Sequence, residues 1–225
     1  MTFSVSPDCL QLGLRAGAIL FRDVTVGEAS SELQALIVQE VERIRTAYAD
    51  PQALRSLPEV ASFQEILRKV GVNPRKEQPS VERLLAFALR RASLPAINSL
   101  VDAYNLVSVR RLCSLGAHDL DTIAVPVSLV VLTGLETFTA LGRDQPQAVT
   151  AGEFGYIDAA RRVLCRLDLL QADFSKVTHA TRNALLIIEG TAEHAVEVLQ
   201  AAFADAIEII TRHCGGTAEV VAVPW

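Results

Sequence analysis

The chain has 225 residues, is 50% hydrophobic and 21% charged, and carries a formal net charge of −5. This length supports one large domain or two intimate ones, and the hydrophobic content excludes global disorder. The acidic balance excludes a polybasic nucleic-acid coat, and 5% aromatic residues imply an aliphatic core.

The residues from 10 to 26 are apolar and partly alternating, which predicts one or two strands. Ser30 or Ser31 then caps a helix whose face carries Leu33, Leu36, Ile37, Val41, Ile44 and Tyr48, and Asp50-Pro51 stops it. A short helix over 59–69 ends at Gly71, and VNPRKEQPS at 72–80 reads as a loop. Ser80 opens a helix carrying Leu84, Leu85, Ala88 and Leu89, and a further helix follows Pro95 over 97–113.

Beyond LGAHDLDTI the period changes. Residues 123–132 and 136–141 read as strands around Gly134, and 142–155 as a long turn-rich connection. Further strands are expected over 163–170 and 184–189, then a helix over 193–213 and a last strand in AEVVAVPW. Helices and strands interleave without βαβα repetition, which predicts an α+β fold.

The helix over 97–113 holds an unusual stripe. Asn98, Asp102 and Asn105 fall at i, i+4 and i+7 beside its apolar face. Asn and Asp are poor interior helix formers, because their side chains compete for the backbone. The stripe either lines a pocket or caps neighbouring loops.

Common catalytic motifs are absent: the chain has no GxGxxG, GxxxxGK[ST], GxSxG or HExxH. Cys9, Cys113, Cys165 and Cys214 form no CxxC or Cys/His cluster, so neither metal nor cofactor is expected. The opening MTFSVSPDCL lacks the pattern of a signal peptide, and the apolar stretch 123–135 holds Pro126 and is too short to span a bilayer. A cytoplasmic protein with no membrane partner is expected.

Three segments, LPAINSLVDAYNLVSVRRL (94–112), LGAHDLDTI (115–123) and SKVTHATRNALLIIEG (175–190), carry a resemblance. They resemble the B3/B4 domain of the bacterial phenylalanyl-tRNA synthetase beta subunit in free-standing form, and NPRKEQPSVERLL (73–85) resembles the lead-in of free-standing members. The resemblance implies a single B3/B4-like domain with mixed or antiparallel sheets flanked by helices. Residues 1–70 would form its N-terminal strand and helix part and 71–225 its core. It implies a trans-editing aminoacyl-tRNA deacylase acting on aminoacylated tRNA and holding a small amino-acid moiety. The alternative is a non-catalytic module that binds tRNA, other RNA or an amino acid. At 225 residues, aminoacylation itself is not expected.

By the same resemblance, Asn105 and Asp102 match the family's VDxxNY motif, and Glu189 matches the Glu that closes its apolar strand and reads a tyrosine hydroxyl. Thr178 and Thr181 match the run before that strand. The family's His position holds Gly116, with His118 two residues later. Asn105, Glu189 and His118 are therefore the catalytic candidates. Asn98, Asp102, Thr178 and Thr181 are the substrate-binding candidates.

Chemistry supports the set, since an activated ester needs a positioned water and a sink for oxyanion charge rather than a strong nucleophile. An Asn amide both donates and accepts, and suits holding that water. A partly buried Glu189 would have a raised pKa. The plainer readings make Glu189 a turn carboxylate, His118-Asp119 a structural pair and the two threonines turn residues. Arg75, Lys76, Arg90, Arg110 and Arg111 are the RNA-binding candidates, provided that folding gathers them.

Overall fold

The computed structural model describes residues 2–48 and 50–224. Strand β1 (Phe3–Val5) leads into helix α1 (Pro7–Leu12), where Ser6 Oγ accepts from the Cys9 amide at 3.3 Å. Gly13, at φ 101°, then turns the chain into β2 (Leu14–Arg22). Residues 10–12, expected as strand, are helical because the Ser6 cap and Pro7 start a helix that only Gly13 ends.

Helix α2 (Ser31–Ala47) is capped by Ser30, whose Oγ accepts from the Leu33 amide at 3.2 Å. Asp50-Pro51 opens a new element instead of closing the old one: Asp50 Oδ1 accepts from the Ala53 amide at 2.9 Å and starts α3 (Pro51–Arg55). Helices α4 (Pro58–Lys69), α5 (Ser80–Arg91) and α6 (Ser99–Arg111) follow.

Strand β3 (Ser114–Asp119) comes next, then β4 (Val127–Val131), the hairpin of β5 (Thr137–Phe138) and β6 (Gln147–Ala148), and β7 (Phe154–Ile157). Strands β8 (Val163–Arg166), β9 (Leu170–Gln171) and β10 (Ala184–Thr191) precede α7 (Val196–Cys214) and β11 (Thr217–Ala222). Three of these strands, β3, β6 and β7, carry no clear sequence signal. β3 alternates Leu115 and Ala117 with small or polar residues, and β7 lies at the end of the stretch that reads as turn. The strand expected over 163–170 is split by a turn at Leu167-Asp168.

Four antiparallel strands in the order β11-β2-β10-β3 form the central layer. A second, mixed sheet runs β1-β4-β7-β8-β9, with β1 parallel to β4 and the other pairs antiparallel. The fold is α+β, with mixed and antiparallel sheets flanked by helices.

Period-two alternation sorts β10 between two cores. Leu186 and Ile188 pack with Phe203 and Ile210 of α7 and Leu106 of α6. Leu185 and Ile187 face Leu129 and Phe154 of the second sheet. Because both faces of β10 are covered, its sequence reads as the unbroken run ALLII. Each such side chain contributes about 1.5–3 kcal/mol by burial.

Helix α6 is enclosed on nearly all sides, with 10 of its 13 residues buried among α2, α5, α7 and β3. It has almost no solvated face, so its polar side chains must find partners inside the protein.

Candidate functional site

A cavity of about 420 Å³ opens where the edge strand β3 meets α5, α6 and the second sheet. The register of β3 against β10 explains its wall. Ser114 lies opposite Glu189, Gly116 opposite Ile187 and His118 opposite Leu185. Ser114, Gly116 and His118 all line the cavity, while the alternate residues Leu115 and Ala117 pack into the helical core, with Leu115 also reaching the cavity rim.

Glu189 is 1% exposed. The Tyr156 hydroxyl donates to its Oε2, while its Oε1 is buried with no hydrogen-bond partner among the described residues. Burial and, second, the nearby Asp168 push the Glu189 carboxyl well above the usual range. Asp168 itself accepts from Ser80 Oγ at 3.0 Å, and burial pushes its carboxyl up to about 7 against the hydrogen bonds of Ser114 and Ser80.

Asp168 reaches this position from a tight turn. The Leu169 amide donates to the Arg166 carbonyl at 2.9 Å, with Leu167 and Asp168 at φ 55° and 57°. A leucine in this left-handed region costs about 1–2 kcal/mol. The fold tolerates that strain where it delivers a carboxyl to the cavity.

His118 also lines the cavity. Its Nδ1 meets Ser175 Oγ at 3.0 Å and Gln171 Nε2 at 3.4 Å. Burial pulls its pKa down to about 4, so the ring is neutral at pH 7. With Nδ1 accepting from Gln171, Nε2 carries the proton, and it has no partner among the described residues.

The polar stripe of α6 divides. Asn98 caps the helix, its Oδ1 accepting from the Val101 amide at 3.0 Å, and Asp102 Oδ1 accepts from the Ile97 amide at 2.8 Å. Neither lines the cavity. Asn105 does line it, and its side-chain amide has no hydrogen bond to the described protein. Asn105 and Glu189, 84 positions apart in the sequence, therefore share one cavity.

Thr178 and Thr181 are not part of the lining. Thr181 Oγ1 donates to Asp119 Oδ2 at 2.6 Å and accepts from the Thr178 amide at 2.9 Å, while Thr178 Oγ1 accepts from the Ala180 amide at 3.2 Å. His118 and Asp119 do not pair with each other, because neighbouring strand residues point to opposite faces.

The basic candidates are split too. Arg110 pairs with Glu40 at 3.3 Å, and Arg111 grips Asp205 through two bonds of 2.8 and 3.1 Å. Arg90 lines the cavity together with Arg83, seven residues earlier on the same face of α5. Arg75 and Lys76 are exposed on the preceding loop. None of these last four makes an ion pair with a described residue.

Sequence reasoning missed Asp168, Tyr156, Ser80, Ser114 and Arg83. Only Arg83 left a readable signal, its helical spacing from Arg90. Among the described residues no group of three or more His, Cys, Asp or Glu could hold a metal ion. No helix among them is long and apolar enough to cross a membrane.

Comparison with solved structures finds an N-terminal fragment of the phenylalanyl-tRNA synthetase beta-subunit from Pyrococcus horikoshii, at 12% sequence identity and a TM-score of 0.48. The alignment covers 96% of this chain and 50% of that one, so the chain spans half the length of the fragment it matches. No curated protein matches the chain. The B3/4 domain family model matches residues 63–215, well over half of the sequence and a span that contains every residue lining the cavity, and the chain therefore belongs to the B3/4 domain family.

Proposed function

We propose that this protein is an aminoacyl-tRNA deacylase, hydrolysing the ester that joins a wrongly attached amino acid to its tRNA. The observation that carries this reading is the shared cavity of Asn105 and Glu189, with the open Nε2 of His118 on the same wall. Membership of the B3/4 family and the three sequence blocks support tRNA as the partner.

The chemistry follows from the side chains. The Asn105 amide, free of protein partners, holds the attacking water by donating and accepting. The neutral His118 ring donates from Nε2 to the carbonyl oxygen as negative charge develops on it. The acidic corner at Glu189 takes a polar group of the amino acid. Arg83 and Arg90 at the cavity, with Arg75 and Lys76 on the adjoining loop, take the phosphates of the tRNA end. Asn98, Asp102, Thr178 and Thr181 hold the framework: the first two fix the start of α6, the others the approach to β10.

Incubation with a panel of mischarged tRNAs tests the reading, with release of free amino acid followed against buffer alone. We expect release for at least one pair, slowed about 100-fold by Asn105→Ala with folding unchanged. No release from any pair at micromolar protein overturns it.

One observation favours a second reading, a module that binds without turnover. Gly116 stands where the resembled family places a His, and nothing lies within 4 Å of a Cβ built there. Tight tRNA binding with hydrolysis at the buffer rate selects that reading.

A further inference from the structure

The acidic corner of the cavity is short of positive charge. Glu189 and Asp168 both line it, and no cationic side chain among the described residues forms an ion pair with either. Arg166, two residues before Asp168, is engaged elsewhere: its Nε and Nη2 bond Glu153 at 2.5 and 2.6 Å. Arg83 and Arg90 line the same cavity but belong to the exposed side of α5.

The corner is also short of donors. Tyr156 satisfies one oxygen of Glu189, and Ser80 and Ser114 bond Asp168, while the buried Oε1 of Glu189 is left over. A buried carboxyl pair without a counter-ion is costly in its charged form and holds protons instead.

We propose that Glu189, Asp168 and Tyr156 form a subsite for a primary ammonium group of the ligand. The inference rests on the cavity being the substrate site of the proposed function, but not on turnover there. An ammonium brings three donors and one positive charge. It satisfies the orphaned Oε1 and balances the single negative charge of a pair that keeps one proton between its two carboxyls, whereas a ligand hydroxyl supplies a hydrogen bond but no charge. A metal ion is a poor fit, since no group of three potential ligands occurs among the described residues. The ammonium is either the α-amino group, which every aminoacyl ester carries, or a side-chain amine.

Titration calorimetry with four small amides on the full chain separates these sources. L-norleucinamide carries only an α-ammonium, and Nα-acetyl-L-lysinamide only a side-chain ammonium. Nα-acetyl-L-norleucinamide carries neither, and Nα-acetyl-L-tyrosinamide offers a phenol. We expect one of the two ammonium compounds to bind at least about tenfold more tightly than the neutral norleucine amide, and Glu189→Gln to erase that margin. Glu189→Gln should fold, because a carboxamide resembles the protonated acid, and Asp168→Asn serves as a second variant. Equal binding of the neutral or phenolic amide, an unchanged margin in both variants, or no binding by any amide overturns the subsite. Hydrolysis of mischarged tRNA without ammonium preference sinks the subsite and spares the deacylase. Ammonium binding without hydrolysis does the reverse.

Discussion

Strand β7 separates two regions that treat buried carboxyls in opposite ways. At its ends, Glu153 and Asp158 each meet an arginine, Arg166 at 2.5 Å and Arg162 at 2.6 Å. Between them, Tyr156 points at Glu189, which like Asp168 forms no ion pair with a described residue. The hydrogen bonds and charge of the arginines outweigh burial for Glu153 and Asp158 and hold both below the usual carboxylate range. Burial wins for Glu189 and Asp168 and pushes both up. The same fold thus matches its structural acids with fixed counter-charges and leaves its cavity acids without them. The missing charge is what the proposed ammonium subsite rests on.

The sharpest way to break this contrast is to remove a counter-charge from one side and a charge from the other. Arg166→Ala leaves Glu153, 2% exposed, as an uncompensated buried charge, and should cost about 3 kcal/mol in chemical denaturation. Adding Glu153→Gln to that variant should recover part of the loss. Glu189→Gln removes a group that is already costly to ionise, and should leave stability at pH 7 unchanged or higher. A loss as large as that of Arg166→Ala would show that Glu189 is a structural acid after all.

The two ends of the α6 stripe give the next test. Asn105→Ala should slow deacylation about 100-fold with little change in melting temperature. Asn98→Ala should cost about 1 kcal/mol of stability through the lost cap, with the rate per folded molecule intact. Reversed effects would exchange their roles.

The smallest effect is in the pH dependence, where the two kinds of acid have opposite signs. The folded pKa of Asp168 is raised from 3.8 to about 7, so its contribution to stability is present below 3.8 and lost as pH rises through about 7. Glu153 is depressed below 4.5, so its contribution is present above that value and lost as pH falls. His118, lowered from 6.5 to about 4, adds stability above 6.5 that is lost as pH falls through about 4. Asp168→Asn should therefore flatten the decline in stability between about pH 4 and 7, measured by denaturant melts across that range. An unchanged curve would place Asp168 in contact with solvent or a cation.

Much of the framework was legible because it obeys local rules. The periodic faces of α2, α5 and α7, the apolar run of β10 and the turn at Gly71 follow from spacing and backbone preference alone. β3 and β7 were not legible as strands: the first places small or polar residues on its cavity side, and the second is a four-residue segment emerging from turns. Strand length and alternation were too slight there to outweigh the neighbouring loop signals.

Within the site, the sequence by itself determined that Asn105 and Glu189 are set beside apolar positions where a pocket is possible. By resemblance alone it set Gly116 where a His was expected, but that Gly116 faces the cavity was decided by the pairing of β3 with β10. Only the tertiary structure decided that these residues meet, because pairing of β3 with β10 and packing of α6 against them are long-range events. Only the tertiary structure brought in Asp168 and Tyr156, through a strained turn and a strand of the second sheet. A sequence records which residues carry charge, but the energy of a charge depends on which partners surround it after folding.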